Sequence, residues 1–375
     1  MTFNGRELRS TLTEDGTLTL SLADVAIEAP GPDEIVVRME ATPINPSDLG
    51  LLLGPAAMGS LEASGTQDRP IATLKVAKAA LGGLRARIGK SLAVGSEGAG
   101  TVVAAGEAVK ALEGRRVGLI GDGMYADYRK VKAREAMPLP DGATAADGAA
   151  MFVNPLTALA FIETMRLEGH RAIVHTAAAS NLGQMLQKLC LADGIPLVNI
   201  VRSDEQANIL RGLGASHVLD SRADDFRRHL ADAVAETGAT IAFDAIGGGD
   251  LGGFILQAME QAANRSATEY SRYGSSTFKQ LYVYGALDTS PTTLNRMTFG
   301  FQWGVSGWLV TSFLRRAGAD VGARMRKRIV DELTTTFATH YTATIGLADA
   351  LRPDVLRAYE RKATGEKYLI DPTRG

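Results

Sequence analysis

The chain has 375 residues, of which 45% are hydrophobic and 22% are charged. This composition is typical of a folded globular protein, and the length suggests two domains of about 150 residues each. The 40 basic and 42 acidic residues leave a net charge of −2, which argues against a nucleic-acid-binding protein. A single cysteine excludes a disulfide framework and a zinc site built from several thiolates. We therefore expect a cytoplasmic protein without a structural metal, and the amino terminus lacks the apolar run of a signal peptide.

The amino-terminal part of the chain has the pattern of β-strands. Residues 17–22 alternate polar and apolar side chains, and residues 34–40 form a β-branched run after a Pro-Gly-Pro turn. Residues 100–105 and 116–120 are similar runs bounded by glycines. This pattern predicts a β-rich amino-terminal domain.

A basic segment interrupts the strands between residues 74 and 92. It contains no acidic residue, its apolar residues follow roughly one helical face, and it carries five cations, Lys75, Lys78, Arg85, Arg87 and Lys90. We interpret it as a surface helix with a solvated basic face. The alternative is a lid over the substrate cleft that attracts an anionic group.

From about residue 145, strands and helices alternate. Residues 171–175 form a short apolar strand, and the apolar residues after it, Cys190 among them, have the spacing of an amphipathic helix. Further strands are predicted at 197–201, 217–219, 240–244 and 281–285, with helices at 206–213 and 224–237. Strands separated by helices predict parallel βαβ units and hence a Rossmann-type, doubly wound parallel sheet.

The candidate nucleotide site is the turn between the first strand and helix of this sheet, residues 176–183. A Rossmann sheet binds a dinucleotide there because free amides and the helix dipole meet the pyrophosphate. The usual fingerprint has three glycines, but only Gly183 remains, with Ser180 and Asn181 where glycines are expected. Asparagine tolerates a positive φ and a serine hydroxyl can bond phosphate, so the turn remains compatible with a dinucleotide.

The end of the second strand distinguishes NAD from NADP. This strand ends at Arg202 and Ser203, which suit the additional 2′-phosphate of NADPH. The nearby Asp204 leaves NAD as an alternative cofactor. However, residues 203–206 resemble a capping box, which would turn Asp204 toward the start of a helix. The alternative for Arg202 is a solvated loop charge. We expect NADPH.

The most hydrophobic uncharged stretch runs from Met297 to Leu314. Its length approaches that of a membrane span, but it includes three glycines, a glutamine and two serines. We therefore expect no membrane insertion and interpret this stretch as a buried strand or a subunit contact.

Four short motifs occur in order along the chain: Ile44-Asn-Pro-Ser-Asp-Leu49, Gly95-Ser-Glu-Gly-Ala-Gly100, Asn154-Pro-Leu-Thr-Ala158 and Thr364-Gly-Glu-Lys-Tyr-Leu-Ile370. Together they resemble the medium-chain dehydrogenase/reductase superfamily, specifically its zinc-free quinone oxidoreductase branch. In that resemblance they are the first active-site loop, the alcohol dehydrogenase signature without its histidine, the entry into the nucleotide domain and the closing strand.

The resemblance implies an α/β fold with two domains. A β-rich GroES-like catalytic domain would comprise residues 1–145 and 316–375, and a Rossmann-type NADP-binding domain would comprise residues 146–315. Related reductases pair edge strands across a two-fold axis, so the resemblance also implies a homodimer through the stretch from Met297 to Leu314.

The resemblance places Asn45 and Asp48 at the substrate cleft. Alternatively, Asn45 caps a turn before Pro46 and Asp48 pairs with a neighbour. The turn, the second strand and the resemblance together give the cofactor-binding residues that we expect: Asn154, Thr157, Ala179, Ser180, Asn181, Leu182, Gly183, Arg202, Ser203, Asp244, Ala245, Ile246, Tyr284, Gly285, Ala286 and Lys367.

The departures from the zinc enzymes of this superfamily predict that no zinc is bound. Those enzymes carry a cysteine where this chain has Asn45 and a histidine where it has Ser96. The four-cysteine structural lobe is also absent. Because catalytic zinc needs three protein ligands, Glu97 alone cannot hold the metal.

Without zinc, hydride transfer needs an electron-poor acceptor such as a quinone or an alkene conjugated to a carbonyl. We expect such a small-molecule substrate. Tyr125, Tyr282, Tyr284 or water could supply the proton, and we place Tyr125 with Asn45 and Asp48 as catalytic. We interpret His175 as structural.

Two other functions stay open. The basic segment would suit an enoyl-thioester reductase whose acyl carrier is rich in phosphate. The lost glycines and the missing proton donor would suit a non-catalytic NADPH-binding protein. The polar aromatic residues between 264 and 279 either border the cleft or cover the sheet.

Overall fold

A computed structural model describes residues 2–361 and 366–374. They form two compact units, Met1–Val153 with Val330–Gly375, and Asn154–Ile329. The sequence-based boundaries, 145/146 and 315/316, thus lie earlier in the chain than the boundaries between the two units.

Packing explains both differences. A short helix at Ala145–Gly148 stays with the first unit because Ala145 and Ala149 share a core with Ala41 and Ala99. The segment after residue 315 stays with the second unit because Arg316 pairs with Glu168, and Arg328 pairs with Asp193.

The first unit begins with a run of strands and short helices. The strands are β1 Thr2–Leu12, β2 Thr17–Glu28, β3 Glu34–Pro43, β4 Ala56–Gly65, β5 Pro70–Val76, β6 Ser91–Ala93, β7 Glu97–Ala105, β8 Arg116–Ile120, β9 Tyr128–Lys132 and β10 Ala136–Pro138. The helices are α1 Leu49–Leu52, α2 Lys78–Leu81 and α3 Ala145–Gly148, with 3₁₀ turns at Gly82–Arg87, Glu107–Leu112 and Ala133–Glu135.

The second unit carries the alternating strands and helices. The helices are α4 Val153–Leu167, which starts at the boundary, α5 Asn181–Asp193, α6 Asp204–Gly212, α7 Phe226–Thr237, α8 Leu251–Arg265, α9 Val310–Ala317 and α10 Ala319–Asp331. The strands are β11 Ile173–His175, β12 Leu197–Val201, β13 His217–Asp220, β14 Ile241–Asp244, β15 Gly247–Gly249, β16 Lys279–Val283, β17 Asp288–Thr292 and β18 Trp303–Gly307, with a 3₁₀ turn at Arg296–Thr298.

The chain then returns to the first unit. The returning elements are β19 Ala343–Ile345, a 3₁₀ turn at Asp349–Leu351, α11 Pro353–Glu360 and β20 Tyr368–Ile370. Strand β20 pairs parallel to β19 and antiparallel to β3. The closing strand is therefore present, although Thr364 and Gly365 of its motif lie outside the described residues.

The first unit is built on two antiparallel-rich sheets. One has the order β4-β5-β2-β1-β6, and the other has the order β10-β8-β7-β3-β20-β19 with β9 also paired to β3. Alternation along β1 and β2 buries Leu8, Leu12, Leu18 and Leu20 in one core. This architecture confirms the predicted β-rich domain.

The second unit contains a parallel sheet of order β13-β12-β11-β14-β16-β18. The strand order reverses at β11, as a doubly wound sheet requires. Val174, Val198, Ala242 and Leu281 contribute to the core on one face of this sheet. The predicted Rossmann-type fold is confirmed.

Two predicted segments differ in detail. The basic segment is not one helix: residues 74–76 end β5, α2 spans Lys78–Leu81, and a 3₁₀ turn follows from Gly82, where two consecutive glycines disfavour a longer helix. The stretch from Met297 to Leu314 contains part of a 3₁₀ turn, strand β18 and the start of α9. Among the described residues, no helix is both long and apolar enough to cross a membrane.

Candidate active site

A cluster of polar side chains lies within the first unit. Asn45 follows β3, Asp48 immediately precedes α1, and Glu97 is the first residue of β7. Tyr125 follows β8, and Lys367 immediately precedes β20. The fold thus brings together residues that are far apart in sequence, and we call these five residues with Ser96 the polar cluster.

Asp48 is one of two buried carboxylates in this cluster that each accept three hydrogen bonds. Its Oδ1 accepts a hydrogen bond from the Ser96 hydroxyl at 2.5 Å. Its Oδ2 accepts from the Asn45 backbone amide at 2.9 Å and from the Tyr125 hydroxyl at 2.8 Å. Burial raises the pKa of the Asp48 carboxyl, and these three hydrogen bonds oppose the shift. Burial together with the Asp48 charge raises the pKa of Tyr125 well above its usual value.

Glu97 is the second buried carboxylate. It accepts from the Asn45 side-chain amide at 2.8 Å and from the backbone amides of Phe152 and Val153, each at 2.9 Å. Burial raises the pKa of Glu97, and the Lys367 charge and these hydrogen bonds oppose that shift. The carboxylate therefore fixes the orientation of the Asn45 side chain.

Lys367 completes the cluster. Its ammonium donates to Asn45 Oδ1 at 3.1 Å. Burial lowers the pKa of Lys367, whereas the charges of Glu97 and Asp48 raise it. The three residues that we predicted as catalytic, Asn45, Asp48 and Tyr125, thus lie in one hydrogen-bonded network with the predicted cofactor residue Lys367.

Sequence reasoning missed the contributions of Ser96 and Glu97. We considered them only as remnants of a lost metal site, whereas both hydrogen-bond to predicted site residues. Their position in the glycine-rich 95–100 motif was the available signal. Over residues 2–361 and 366–374, no group of three or more histidine, cysteine or acidic residues could hold a metal ion.

The nucleotide turn of the second unit joins β11 to α5. Ser180 caps α5, with its hydroxyl accepting from the Gly183 amide at 3.2 Å. A Cβ on residue 183 would lie 2.1 Å from the Ala178 carbonyl oxygen, so only glycine fits. Ala179 is buried before the cap, and Asn181 and Leu182 form the first turn of the helix. This tight turn presents a helix N-terminus that fits a pyrophosphate.

Arg202 and Ser203 lie directly after β12. Ser203 caps α6, its hydroxyl accepting from the Gln206 amide at 3.3 Å, while Gln206 Oε1 accepts from the Arg202 amide at 3.1 Å. Asp204 occupies the first turn of α6. The Arg202 side chain is exposed and makes no ion pair with the described residues, so its guanidinium can bind a phosphate.

Asp244 ends β14, but its carboxylate binds its own loop. Its Oδ1 accepts from the Thr176 hydroxyl at 2.6 Å and from the Ile246 amide at 2.9 Å, and the Ala245 amide donates to Thr176. Asp244 therefore holds the loop shape, and the backbone of Ala245 and Ile246 is the part left to meet a cofactor.

Tyr284, Gly285 and Ala286 follow β16. The Tyr284 hydroxyl lies 2.8 Å from His175 Nε2, and a Cβ on Gly285 would lie 2.6 Å from the Ala245 carbonyl oxygen. Burial lowers the pKa of His175 to about 3 and raises that of Tyr284, so both are neutral at pH 7. His175 is fully buried against this tyrosine.

The other predicted residues are placed as follows. Asn154 and Thr157 lie in the first turns of α4. The Tyr282 hydroxyl donates to Glu168 at 2.8 Å, and burial and this contact raise its pKa to about 12. Cys190 is buried in α5.

Comparison with known proteins supports this architecture. The alcohol dehydrogenase GroES-like domain family matches residues 31–141. The structure of a candidate NADPH:quinone reductase from Mesorhizobium loti superposes with a TM-score of 0.72 at 25% identity, covering 98% of each chain. A corresponding protein from Bacillus thuringiensis gives a TM-score of 0.73 at 19% identity, covering 98% of this chain and 99% of the other.

These matches support placing the chain in the medium-chain dehydrogenase/reductase superfamily, in its quinone oxidoreductase-like branch. Within this superfamily the chain is 28% identical to the quinone oxidoreductase of Pseudomonas aeruginosa over 158 residues, 41% of this chain and 49% of the relative. It is 29% identical to the mitochondrial enoyl-[acyl-carrier-protein] reductase of Xenopus tropicalis over 211 residues, 53% of this chain and 51% of the relative. The matched stretches thus span about half of each of these two relatives.

Proposed function

We propose that this protein is an oxidoreductase that transfers a hydride from NADPH to a quinone or another conjugated carbonyl compound without zinc. The observation that carries the proposal is the second unit's β11–turn–α5 motif, closed by Gly183, together with the exposed Arg202 after the next strand. Full-length similarity to a candidate NADPH:quinone reductase supports it.

The second unit would hold the cofactor. The α5 N-terminus suits the pyrophosphate, and Arg202 with Ser203 suits the 2′-phosphate. Asn154, Thr157, and the backbone from Ala245 to Ile246 and from Tyr284 to Ala286 would contact the nicotinamide half. Bound NADPH supplies a hydride, which reduces an electron-poor carbon.

The first unit would supply polar groups to the acceptor. Asn45 and Ser96 replace the expected metal ligands and are hydrogen-bonded to Glu97 and Asp48. A conjugated acceptor suits this site because its own π system spreads the developing negative charge.

The test compares acceptors and cofactors. NADPH oxidation is followed at about 340 nm with a quinone, a simple enone and an enoyl-CoA, and each assay is repeated with NADH. Arg202→Ala should weaken NADPH binding by about 10- to 100-fold and NADH binding only slightly, because a charge-assisted contact to the 2′-phosphate is lost. Arg211→Ala, an exposed change on α6, is the matched control. Equal losses for both cofactors would refute the role of Arg202.

An enoyl-thioester reductase is the second candidate. Its support is the similarity to the Xenopus enzyme and the exposed cations Lys78 and Arg85, which make no ion pair with the described residues. It predicts Michaelis constants for enoyl-CoA that rise with salt. Salt-independent constants, or no activity with enoyl-CoA, would exclude it.

We also propose a homodimer through the stretch from Met297 to Leu314. Strand β18 lies at an edge of the parallel sheet, and Met297, Phe301 and Leu309 near it are exposed. The double variant Phe301→Asp with Leu309→Lys should shift the light-scattering mass from dimer to monomer. A wild-type mass of one chain would refute the dimer.

A zinc-free reaction predicts substoichiometric zinc by elemental analysis and activity that survives chelation. Stoichiometric zinc with loss of activity on chelation would contradict it.

A further inference from the structure

The hydrogen bonds of the polar cluster leave few groups able to bind a substrate. The Asp48 carboxylate already accepts from Ser96, Asn45 and Tyr125. A hydroxyl has one proton to donate. The Ser96 hydroxyl donates its proton to Asp48, and the Tyr125 hydroxyl has two acceptors for its proton, Asp48 Oδ2 at 2.8 Å and the Pro43 carbonyl oxygen at 3.1 Å. Tyr125 is also fully buried. The proton of the tyrosine that we predicted as catalytic is therefore committed to these two protein acceptors.

Glu97 and Asn45 are committed in the same way. Glu97 accepts from two backbone amides and from the Asn45 side-chain amide. The Asn45 amide donates toward Glu97, so its oxygen is directed at Lys367. Asn45 thus connects the fixed Glu97 carboxylate to Lys367 and orients the lysine side chain.

Lys367 is the member of the cluster with hydrogen-bonding capacity to spare. An ammonium has three N–H donors, and the described residues accept one hydrogen bond from Lys367, at Asn45 Oδ1. Its side chain is half-buried, whereas Asn45, Asp48, Glu97 and Tyr125 are buried. Two N–H donors of this half-buried residue are therefore left to meet a ligand oxygen.

The negative charges of Glu97 and Asp48 favour the protonated form of Lys367, whereas burial opposes it, and neither carboxylate consumes these donors. Glu97 and Asp48 act on it electrostatically, yet neither forms a close ion pair with it among the described residues. Each carboxylate instead satisfies its hydrogen bonds with three other donors. The Lys367 side-chain nitrogen is thus a donor whose position is set by one amide oxygen.

We propose that Lys367 donates a hydrogen bond, and then a proton, to the carbonyl oxygen of the acceptor, with Asn45 as its positioning residue. This proposal rests on the proposed reductase function. When the acceptor carbon receives a hydride, a C–H bond forms and the π electron pair moves onto the oxygen. An N–H bond of Lys367 then breaks as the O–H bond forms, and the neutral amine regains a proton from water.

A phenolate tests this role without the cofactor, because it presents an oxyanion on a conjugated ring. Titration of protein into 4-nitrophenol, followed by the phenolate absorbance, gives its affinity and the pKa of the bound phenol. Lys367→Met should weaken phenolate binding by about 10- to 100-fold and raise that pKa, since a charge-assisted hydrogen bond is lost. Lys130→Met, on β9 of the same unit, is the matched control and should bind as wild type does.

Asn45→Ala provides a second variant in case Lys367→Met does not fold, which circular dichroism would show. It should weaken phenolate binding by about 3- to 10-fold, because the lysine loses its orienting partner. Unchanged phenolate affinity in a folded Lys367→Met or Asn45→Ala variant would overturn the proposal. So would wild-type protein that fails to bind phenolate, or a Lys367→Met variant that loses NADPH affinity alone.

Turnover separates the two proposals. Lys367-dependent phenolate binding in a wild-type protein that reduces no acceptor would refute the reductase function alone. Turnover combined with Lys367-independent phenolate binding would refute the lysine role alone.

Discussion

Replacing Gly183 by alanine should weaken NADPH binding, because it distorts the turn that precedes α5. An added Cβ would lie 2.1 Å from the Ala178 carbonyl oxygen and 2.6 Å from the carbonyl carbon. Unstrained contacts are about 3.5 Å, so the turn or the helix start must move by more than about 1 Å. That movement displaces the amides that would face the pyrophosphate.

The expected magnitude follows from this overlap. Overpacking against rigid backbone costs about 1–3 kcal/mol, and we expect the free energy of unfolding to fall by that amount. A comparable loss in binding free energy lowers NADPH affinity by about 10- to 100-fold. Calorimetric titration with NADPH and urea denaturation measure the two effects separately.

Gly212→Ala is the matched control. Gly212 ends α6, and a Cβ there would meet nothing within 4 Å. Alanine at this helical position should leave NADPH affinity unchanged and stabilise the protein by up to about 1 kcal/mol. A Gly183→Ala variant with the NADPH affinity of wild type would show that this turn does not bind the phosphates.

Three further predictions concern stability. Glu260→Ala leaves the fully buried Lys279 ammonium without its carboxylate partner at 2.5 Å. The free energy of unfolding, measured by urea denaturation, should therefore fall by about 3–5 kcal/mol and be partly restored by adding Lys279→Met. An unchanged free energy of unfolding would contradict the buried ion pair. Burial lowers the pKa of His175 from 6.5 to about 3, so the folded state loses stability as the pH falls from 6.5 toward 3. In His175→Gln, the melting temperature should depend less steeply on pH over this interval. An unchanged slope would refute the assignment. Arg87→Met removes the donors to the Leu51 carbonyl oxygen and the Ser10 hydroxyl, each at 3.0 Å, and should lower the free energy of unfolding by about 1–3 kcal/mol. Arg85→Met, at an exposed position, should change it by less than about 0.5 kcal/mol. Equal effects of the two variants would show that Arg87 does not hold α1.

The fold was accessible from the sequence because its signals are local. Alternation in residues 17–22 predicts a strand with one buried face, and the spacing of the apolar residues after β11 predicts α5. The capping box at 203–206 likewise needs no distant partner, and Ser203 does cap α6.

The polar cluster was only partly accessible because its hydrogen bonds are long-range. Lys367 and Asn45 are 322 positions apart, and Glu97 and Asn45 are 52 apart. Nothing local distinguishes Arg87, which turns inward to the carbonyls of α1, from the exposed Arg85 two residues earlier. Burial, rather than residue type, decides which cations are structural.

Hydride transfer is tested most directly by following the hydride itself. The protein is incubated with NADPH carrying deuterium at both C4 positions and a simple enone, and the product is analysed by mass spectrometry. The proposed function predicts a product with deuterium bound to carbon, formed in step with NADPH oxidation. Saturable NADPH binding with no deuterium transferred to the enone or an enoyl-CoA, and no reduction of a quinone, would contradict it and favour a non-catalytic NADPH-binding protein.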